Sequence, residues 1–312
     1  MKIGVIGSGA LGLYYGAMLQ RAGHQVLFLL RSDYRTIKEQ GLQVHSTNGD
    51  FSLPRVAGFQ SAEQIGSVDL VLVGLKTFAN KHLTELIGPL IGKETAILTL
   101  QNGLGNEELL AETFPAEQIL GGVAFLCSNR GEPGHVHHLG EGRIRLGEFS
   151  GGLSPRSLSF AEMFSQAGVP CEAIGDLRKA RWEKLIWNIP FNGMSALTEK
   201  NVNQLLAHPP SRSLIQKIMK EVVAAANAQQ LSEPVNGEHF IDHMIHMTEK
   251  MYNYCPSMMI DRLEKRPLEL TAIYAIPLQL AAQTGIPMPR TEMLYSLLEL
   301  GEVELSVKQE ED

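Results

Sequence analysis

Short β-branched runs alternate with helix-period segments over the first third of the chain, the pattern of a parallel sheet assembled from βαβ units. Strands are predicted over Lys2–Gly7 and Gln25–Leu30, with an amphipathic helix over Ala10–Ala22 between them and Gly23-His24 as its stop. Further strands fall at Asp69–Leu75 (DLVLVGL), Thr95–Leu100 (TAILTL) and Ile119–Leu126, with a helix expected between each pair. Weaker extended segments at His135–Leu139, Arg143–Glu148 and Pro170–Ile174 complete a doubly wound sheet, and a helix is expected near Pro155–Gln166. After Asp176 the β-branched runs disappear. Long periodic segments follow at Ala180–Thr198, Ser211–Gln230, Gly237–Tyr252, Leu268–Thr284 and Arg290–Leu300. Pro209-Pro210, Pro234, Pro256 and Pro287-Met288-Pro289 lie between them, where proline stops helices. The second part is therefore expected to be all-helical.

The length of 312 residues fits two domains, placed here at 1–175 and 176–312. Lys and Arg number 27 against 34 Asp and Glu, a formal charge of −7 with no basic block, which argues against a nucleic-acid partner. Apolar stretches such as Leu70–Leu75 fall far short of the ~20 residues of a membrane-spanning helix, and the first residues lack the apolar core of a secretory signal. Cys127, Cys171 and Cys255 are odd in number and far apart, which suits a reducing cytoplasm. The tail Lys308–Asp312 reads as disordered, and the apolar helical part leaves a homodimer open.

Candidate chemistry begins with Gly7-Ser8-Gly9-Ala10-Leu11-Gly12, a G-x-G-x-x-G that directly follows a strand and opens a helix. In that context Gly7 allows the tight turn, Gly9 admits a pyrophosphate to the backbone N–H groups, and Gly12 lets helix and strand pack closely. The fold expected is accordingly α/β: an N-terminal Rossmann-type doubly wound sheet followed by an all-helical C-terminal domain. Strand two ends in Arg31, where a cation suits the 2′-phosphate of NADP, although Asp33 two residues on could serve a ribose hydroxyl instead. Lys76 follows Asp69–Leu75 at another carboxyl strand end and is a second candidate for the phosphate. Gln101-Asn102-Gly103 follows Thr95–Leu100 in the same way, and Asn102 offers both a donor and an acceptor.

In the helical part, Lys184, Asn188 and Asn192 are spaced i, i+4, i+8 and share one face of a helix, although Pro190 is expected to kink it. Glu269 opens a strongly apolar helix, where a carboxylate is either a dipole partner or a buried acid needing a cation. His135, His137 and His138 alternate along an extended segment with no nearby carboxylate or cysteine, so no metal is expected there. His239, His243 and His246 have helical spacing without an HEXXH motif, and Met244, Met247, Met251, Met258 and Met259 read as packing.

Taken in order, GSGALG, Arg31, Lys76, QNG at 101–103, K-x-x-x-N-x-x-x-N from Lys184, and Ser257 twelve residues before Glu269 resemble the ketopantoate reductases over essentially the whole chain. The resemblance implies NADPH-dependent reduction of the 2-keto acid 2-dehydropantoate (ketopantoate) to pantoate in pantothenate biosynthesis. It implies Lys184 as catalytic acid, Glu269 as its acidic partner in contact with substrate, and Asn188, Asn192 and Ser257 as substrate ligands. It also places Gly7, Ser8, Gly9, Ala10, Leu11, Gly12, Arg31, Lys76 and Asn102 with the cofactor, and Asn102 with the substrate as well. The family's Arg-x-Thr-Glu and Ile-Asn-Gly appear here as Arg266-Pro267-Leu268-Glu269 and Ile273-Tyr274-Ala275, which is expected to reshape the pocket around Glu269. The competing readings are a related two-domain NADP-dependent enzyme acting on another keto acid or imine, and a catalytically silent NADP sensor.

Overall fold

The computed structural model describes residues 1–311, with side chains described to residue 302. It resolves two compact units: Met1–Gln101 with Asn106–Leu177, and Asn102–Gly105 with the chain from Arg178 onward. The first unit holds β1 (Lys2–Ile6), α1 (Ala10–Arg21), β2 (Gln25–Leu29), α2 (Tyr34–Gln40), β3 (Leu42–Ser46), β4 (Phe51–Leu53) and β5 (Ala57–Phe59). It continues with β6 (Leu70–Val73), α3 (Leu83–Ile87), β7 (Ala96–Thr99), α4 (Asn106–Ala111), β8 (Ile119–Arg130), β9 (His135–Glu148), α5 (Pro155–Gln166) and β10 (Cys171–Ala173).

The ten strands form one sheet in the order β4-β3-β9-β8-β7-β6-β1-β2-β5, with β10 alongside β9. From β5 to β8 all pairings are parallel. Every residue of β6 and β7 is buried, as a parallel strand covered on both faces requires. Alternate residues feed two cores: Val5, Leu70 and Leu72 pack on one side with Leu13 and Phe28, while Ile6, Val71 and Val73 pack on the other with Leu83 and Ile87. The strand order reverses around β1, which has β2 on one side and β6 on the other. Ligands of such sheets bind beyond the carboxyl ends of the strands at this switch point.

Elements between β2 and β6 and between β8 and α5 depart from the sequence expectation. Between β2 and β6, where a helix alone was expected, α2 is followed by β3, β4 and β5, whose short, partly polar runs carry little period-2 signal. The segments His135–Leu139 and Arg143–Glu148 are one strand, β9, which stays paired to β8 through register shifts where Gly140, Glu141 and Gly142 take positive φ.

The second unit holds α6 (Leu177–Thr198), α7 (Val202–Ala207), α8 (Pro209–Asn227), α9 (Gly237–Glu249), α10 (Ser257–Leu263), α11 (Ile276–Gln283) and α12 (Pro289–Glu311), with a π-helical turn at Thr271–Ala275. Their apolar faces meet in one core around Trp182, Ile186, Ile189, Phe191, Met219 and Tyr274. Contrary to the expected disordered tail, α12 carries Lys308–Glu311 as helix, and Asp312 lies outside the described residues. Helix α6 runs across Pro190 from Leu177 to Thr198, so the i, i+4, i+8 spacing of Lys184, Asn188 and Asn192 is kept.

Tyr274 belongs to this core rather than to a pocket wall. Its side chain is fully buried, and its hydroxyl donates to the Ile189 carbonyl oxygen at 2.8 Å while the Gly193 backbone bonds to the same phenol. Ile189 and Gly193 are i, i+4 partners of α6, so Tyr274 inserts into the helix ladder one residue from Pro190. Burial pushes its phenol far up, which keeps it a neutral donor at physiological pH. A Cβ at Gly193 would lie 2.4 Å from the Tyr274 oxygen, so glycine is required there. Tyr274 thus has a structural role in the helical core, bracing α6 next to Pro190.

Asn102–Gly105 leaves the end of β7 and joins the second unit. Leu104 enters the helical core, and its N–H donates to the Ala272 carbonyl at 2.9 Å. Gly103 has φ +80°, and a Cβ there would sit 2.3 Å from the same carbonyl oxygen. No described helix is long and apolar enough to cross a membrane.

Candidate active site

In the first unit the glycines of the β1–α1 loop divide their work as the spacing suggests. Gly7 has φ +98°, and a Cβ there would lie 2.3 Å from the Leu75 nitrogen, so the loops after β1 and β6 touch at this point. Gly12 packs so closely that a Cβ would reach the Gly7 carbonyl oxygen at 2.2 Å. Gly9 differs: nothing lies within 4 Å of its Cβ position, and its backbone is extended at φ −81°, which any residue adopts. Gly9 is not required by the fold; the open space above it is the space a pyrophosphate needs at the start of α1. Ser8 braces the loop by donating to the Leu29 carbonyl at 2.8 Å, and Ala10 and Leu11 form the first turn of the helix.

Gly9→Ala is accordingly expected to leave the melting temperature unchanged while weakening dinucleotide binding by about tenfold or more, because a methyl group fills the ligand's space. Thermal unfolding alongside titration with dinucleotide checks both halves. Gly12→Ala, by contrast, forces the loop and helix apart.

At the end of β2, Arg31 is exposed, and its side chain has no hydrogen-bond or ion-pair partner among the described residues. Asp33 is buried, held by Arg130, which also donates to the Ser32 hydroxyl at 2.7 Å, and by the Gly134 N–H at 3.4 Å. That carboxylate is therefore engaged inside the protein, which removes the ribose role the sequence left open for it. Lys76 is half-buried immediately before a 3₁₀ turn at Thr77–His82, beyond the end of β6. Gln101 is locked at the end of β7: Thr99 donates to its side-chain oxygen at 3.0 Å, and it donates to Asn80 at 2.7 Å, which in turn donates to Asn106 at 3.0 Å. This amide chain fixes the departure point of the Asn102–Gly105 excursion.

In the second unit the excursion brings Asn102 to Lys184 and Glu269. The Lys184 ammonium donates to Asn102 Oδ1 at 2.6 Å, and Asn102 Nδ2 donates across a longer 3.4 Å to Glu269 Oε2. Glu269 is only 2% exposed, so of the two roles open to it from spacing the structure selects the buried acid. The sequence suggested Asn102 as a ligand contact; its carboxamide as the link between the lysine and the acid was not legible. Asn188 and Asn192 are buried on the same face of α6 as Lys184, and neither carboxamide has a side-chain hydrogen-bond partner among the described residues. Ser257 is half-buried at the first position of α10.

The histidines gain partners the sequence did not show. His45 on β3 pairs in register with His137, and its Nε2 lies 2.9 Å from His135 Nδ1. The His45 and His135 rings are 6° from coplanar with centroids 5.2 Å apart, an edge-to-edge N–H···N hydrogen bond that leaves no room for an ion between the nitrogens. His138 is used by Ser46, by the Glu141 carbonyl and by stacking on Tyr14. Among the described residues no three His, Cys, Asp or Glu side chains converge as a metal site. His239, His243 and His246 lie on the exposed face of α9.

Comparison with known proteins adds a second line of observation. Residues 3–151 match the family model for ketopantoate reductase PanE/ApbA, and residues 176–302 match the model for its C-terminal part. The chain belongs to the ketopantoate reductase family. A 2-dehydropantoate 2-reductase of Nostoc sp. is 42% identical over 302 residues, 95% of this chain and 94% of the relative. The crystal structure of a 2-dehydropantoate 2-reductase from Geobacter metallireducens superimposes with a TM-score of 0.95 at 58% identity, covering 96% of this chain and 99% of that one. A D-mandelate dehydrogenase solved with NADH and anilino(oxo)acetate has a TM-score of 0.90 at 23% identity, covering 98% and 99%, a likeness of fold alone. The ketopantoate reductase membership and the lysine-centred site thus come from independent observations.

Proposed function

We propose that this ketopantoate reductase family member reduces 2-dehydropantoate to pantoate with NADPH, using Lys184 as the proton donor. The observation that carries the reading is the Lys184–Asn102–Glu269 chain of hydrogen bonds. The open space at Gly9, the close packing at Gly7 and Gly12, and the exposed cation at Arg31 fit the pyrophosphate and 2′-phosphate of NADPH. When bound, that cofactor supplies the hydride.

The chain's own residues meet the other half of the reaction. As the substrate carbonyl is reduced its oxygen gains negative charge and needs a positioned N–H donor and then a proton. An ammonium carries three N–H donors, and Asn102 engages one of them, which fixes the direction of the side chain. Asn102 does not titrate in the physiological range, so it orients Lys184 without competing for its proton. The Glu269 carboxylate accepts from the far end of the same carboxamide and polarises it toward the ammonium. The carboxamides of Asn188 and Asn192, with the Ser257 hydroxyl, supply neutral donors for the substrate carboxylate.

The cytoplasmic location carried by this reading agrees with three cysteines that form no disulfide with one another; sedimentation at working concentration decides between monomer and homodimer. The function is tested by following NADPH oxidation against a panel of 2-keto acids and imines. NADPH is expected to bind about tenfold or more tightly than NADH, because only it carries a phosphate for Arg31, and Arg31→Ala is expected to erase most of the difference. Equal binding of both by the unaltered protein would overturn the cofactor reading.

A further inference from the structure

We propose that Arg130 is a positioning residue for cofactor selectivity: by sequestering the Asp33 carboxylate, it makes the end of β2 suit a 2′-phosphorylated dinucleotide. The inference rests on the NADPH reading above. Asp33 is the only acid in the four residues between β2 and α2. In dinucleotide sites of this fold a carboxylate near that place bonds the ribose 2′-hydroxyl, and the same negative charge repels a 2′-phosphate. Arg31 alone therefore does not decide the preference, since Asp33 follows it by two residues.

The structure resolves this competition with a residue 97 positions further along the chain. Strand β8 extends past the expected end at Leu126 to Arg130, and its last side chain reaches Asp33 and the Ser32 hydroxyl. Ser32 donates to the same carboxylate at 3.2 Å, and the Gly134 N–H in the β8–β9 connection approaches the other oxygen. The Asp33 side chain is left 3% exposed, whereas that of Arg130 is 40% exposed. The carboxylate is thus covered while a guanidinium still faces solvent beside Ser32. Counting Arg31, Arg130 and Asp33, the local charge is +1; without Arg130 it is zero, and the acid is left buried without its cation. An ion in that state is driven outward to water.

The test measures dissociation constants for NADPH and NADH, with KM and kcat, in the unaltered protein, Arg130→Met, Asp33→Asn and the double variant. Arg130→Met is expected to weaken NADPH by about tenfold while NADH is unchanged or tightened, so that the preference collapses. The loss should appear in KM for NADPH and not in kcat. In the double variant, which leaves no buried unpaired charge, most of the preference should return, and Asp33→Asn alone should keep or raise it. Equal weakening of both dinucleotides by Arg130→Met, or an unchanged ratio, would overturn the proposal. Should Arg130→Met fail to fold, a drop in the NADPH preference of Asp33→Asn would overturn it instead. An unaltered protein with no NADPH preference sinks the underlying cofactor reading, an outcome distinct from either of these.

Discussion

Lys184→Ala is expected to lower kcat by about 10²–10⁴-fold, the range spanned by general acid catalysis, while the dissociation constant for NADPH stays within twofold or so of its starting value. The two readouts separate because Lys184 belongs to the second unit and the glycine loop and Arg31 to the first. Asn102→Ala should fall between the extremes: the ammonium remains, but its 2.6 Å acceptor is gone and its direction is no longer fixed. Steady-state kinetics at saturating NADPH, with separate binding titrations, check this. A Lys184→Ala protein that keeps most of its turnover would remove the lysine from the chemistry.

The second large effect concerns substrate choice. Ketopantoate carries a 4-hydroxyl, and in the proposed site Glu269 is the acceptor for it. A site built to bond a hydroxyl rejects the analogue lacking it by up to ~10⁵-fold, because the acceptor loses that bond with no water to replace it. Glu269 is 2% exposed, so water is a poor replacement partner for it. The kcat/KM for ketopantoate is therefore expected to exceed that for the deoxy compound by two or more orders of magnitude. Glu269→Ala should narrow the gap by lowering the first value much more than the second. Comparable values in the unaltered protein would remove the hydroxyl contact and leave the reductase reading in place.

What the chain discloses before folding is what recurs at short range. Strands β1, β6 and β7, α5 at Pro155–Gln166 and the glycine loop were legible because each is a local period or motif. Lys184, Asn188 and Asn192 were legible as one face for the same reason, and Pro190 did not disturb it. The missed features join distant segments: Arg130 with Asp33, His45 with His135, and Asn102 with Glu269, which are 97, 90 and 167 residues apart. No periodicity links such positions. The place of Tyr274 is illegible for the same reason: its hydroxyl bonds to the backbone of Ile189, 85 residues earlier.

The excursion of Asn102–Gly105 bears on how such proteins can be recombined. A chimera cut at the obvious join, near Leu177, would transplant Lys184 and Glu269 but leave their amide linker and the Leu104 plug behind in the donor. The graft would then depend on the recipient offering asparagine, glycine and leucine at the matching loop. Inheritance of the proposed catalytic group is thus split over two stretches of sequence, and shuffling that respects the linear boundary alone is expected to produce slow hybrids.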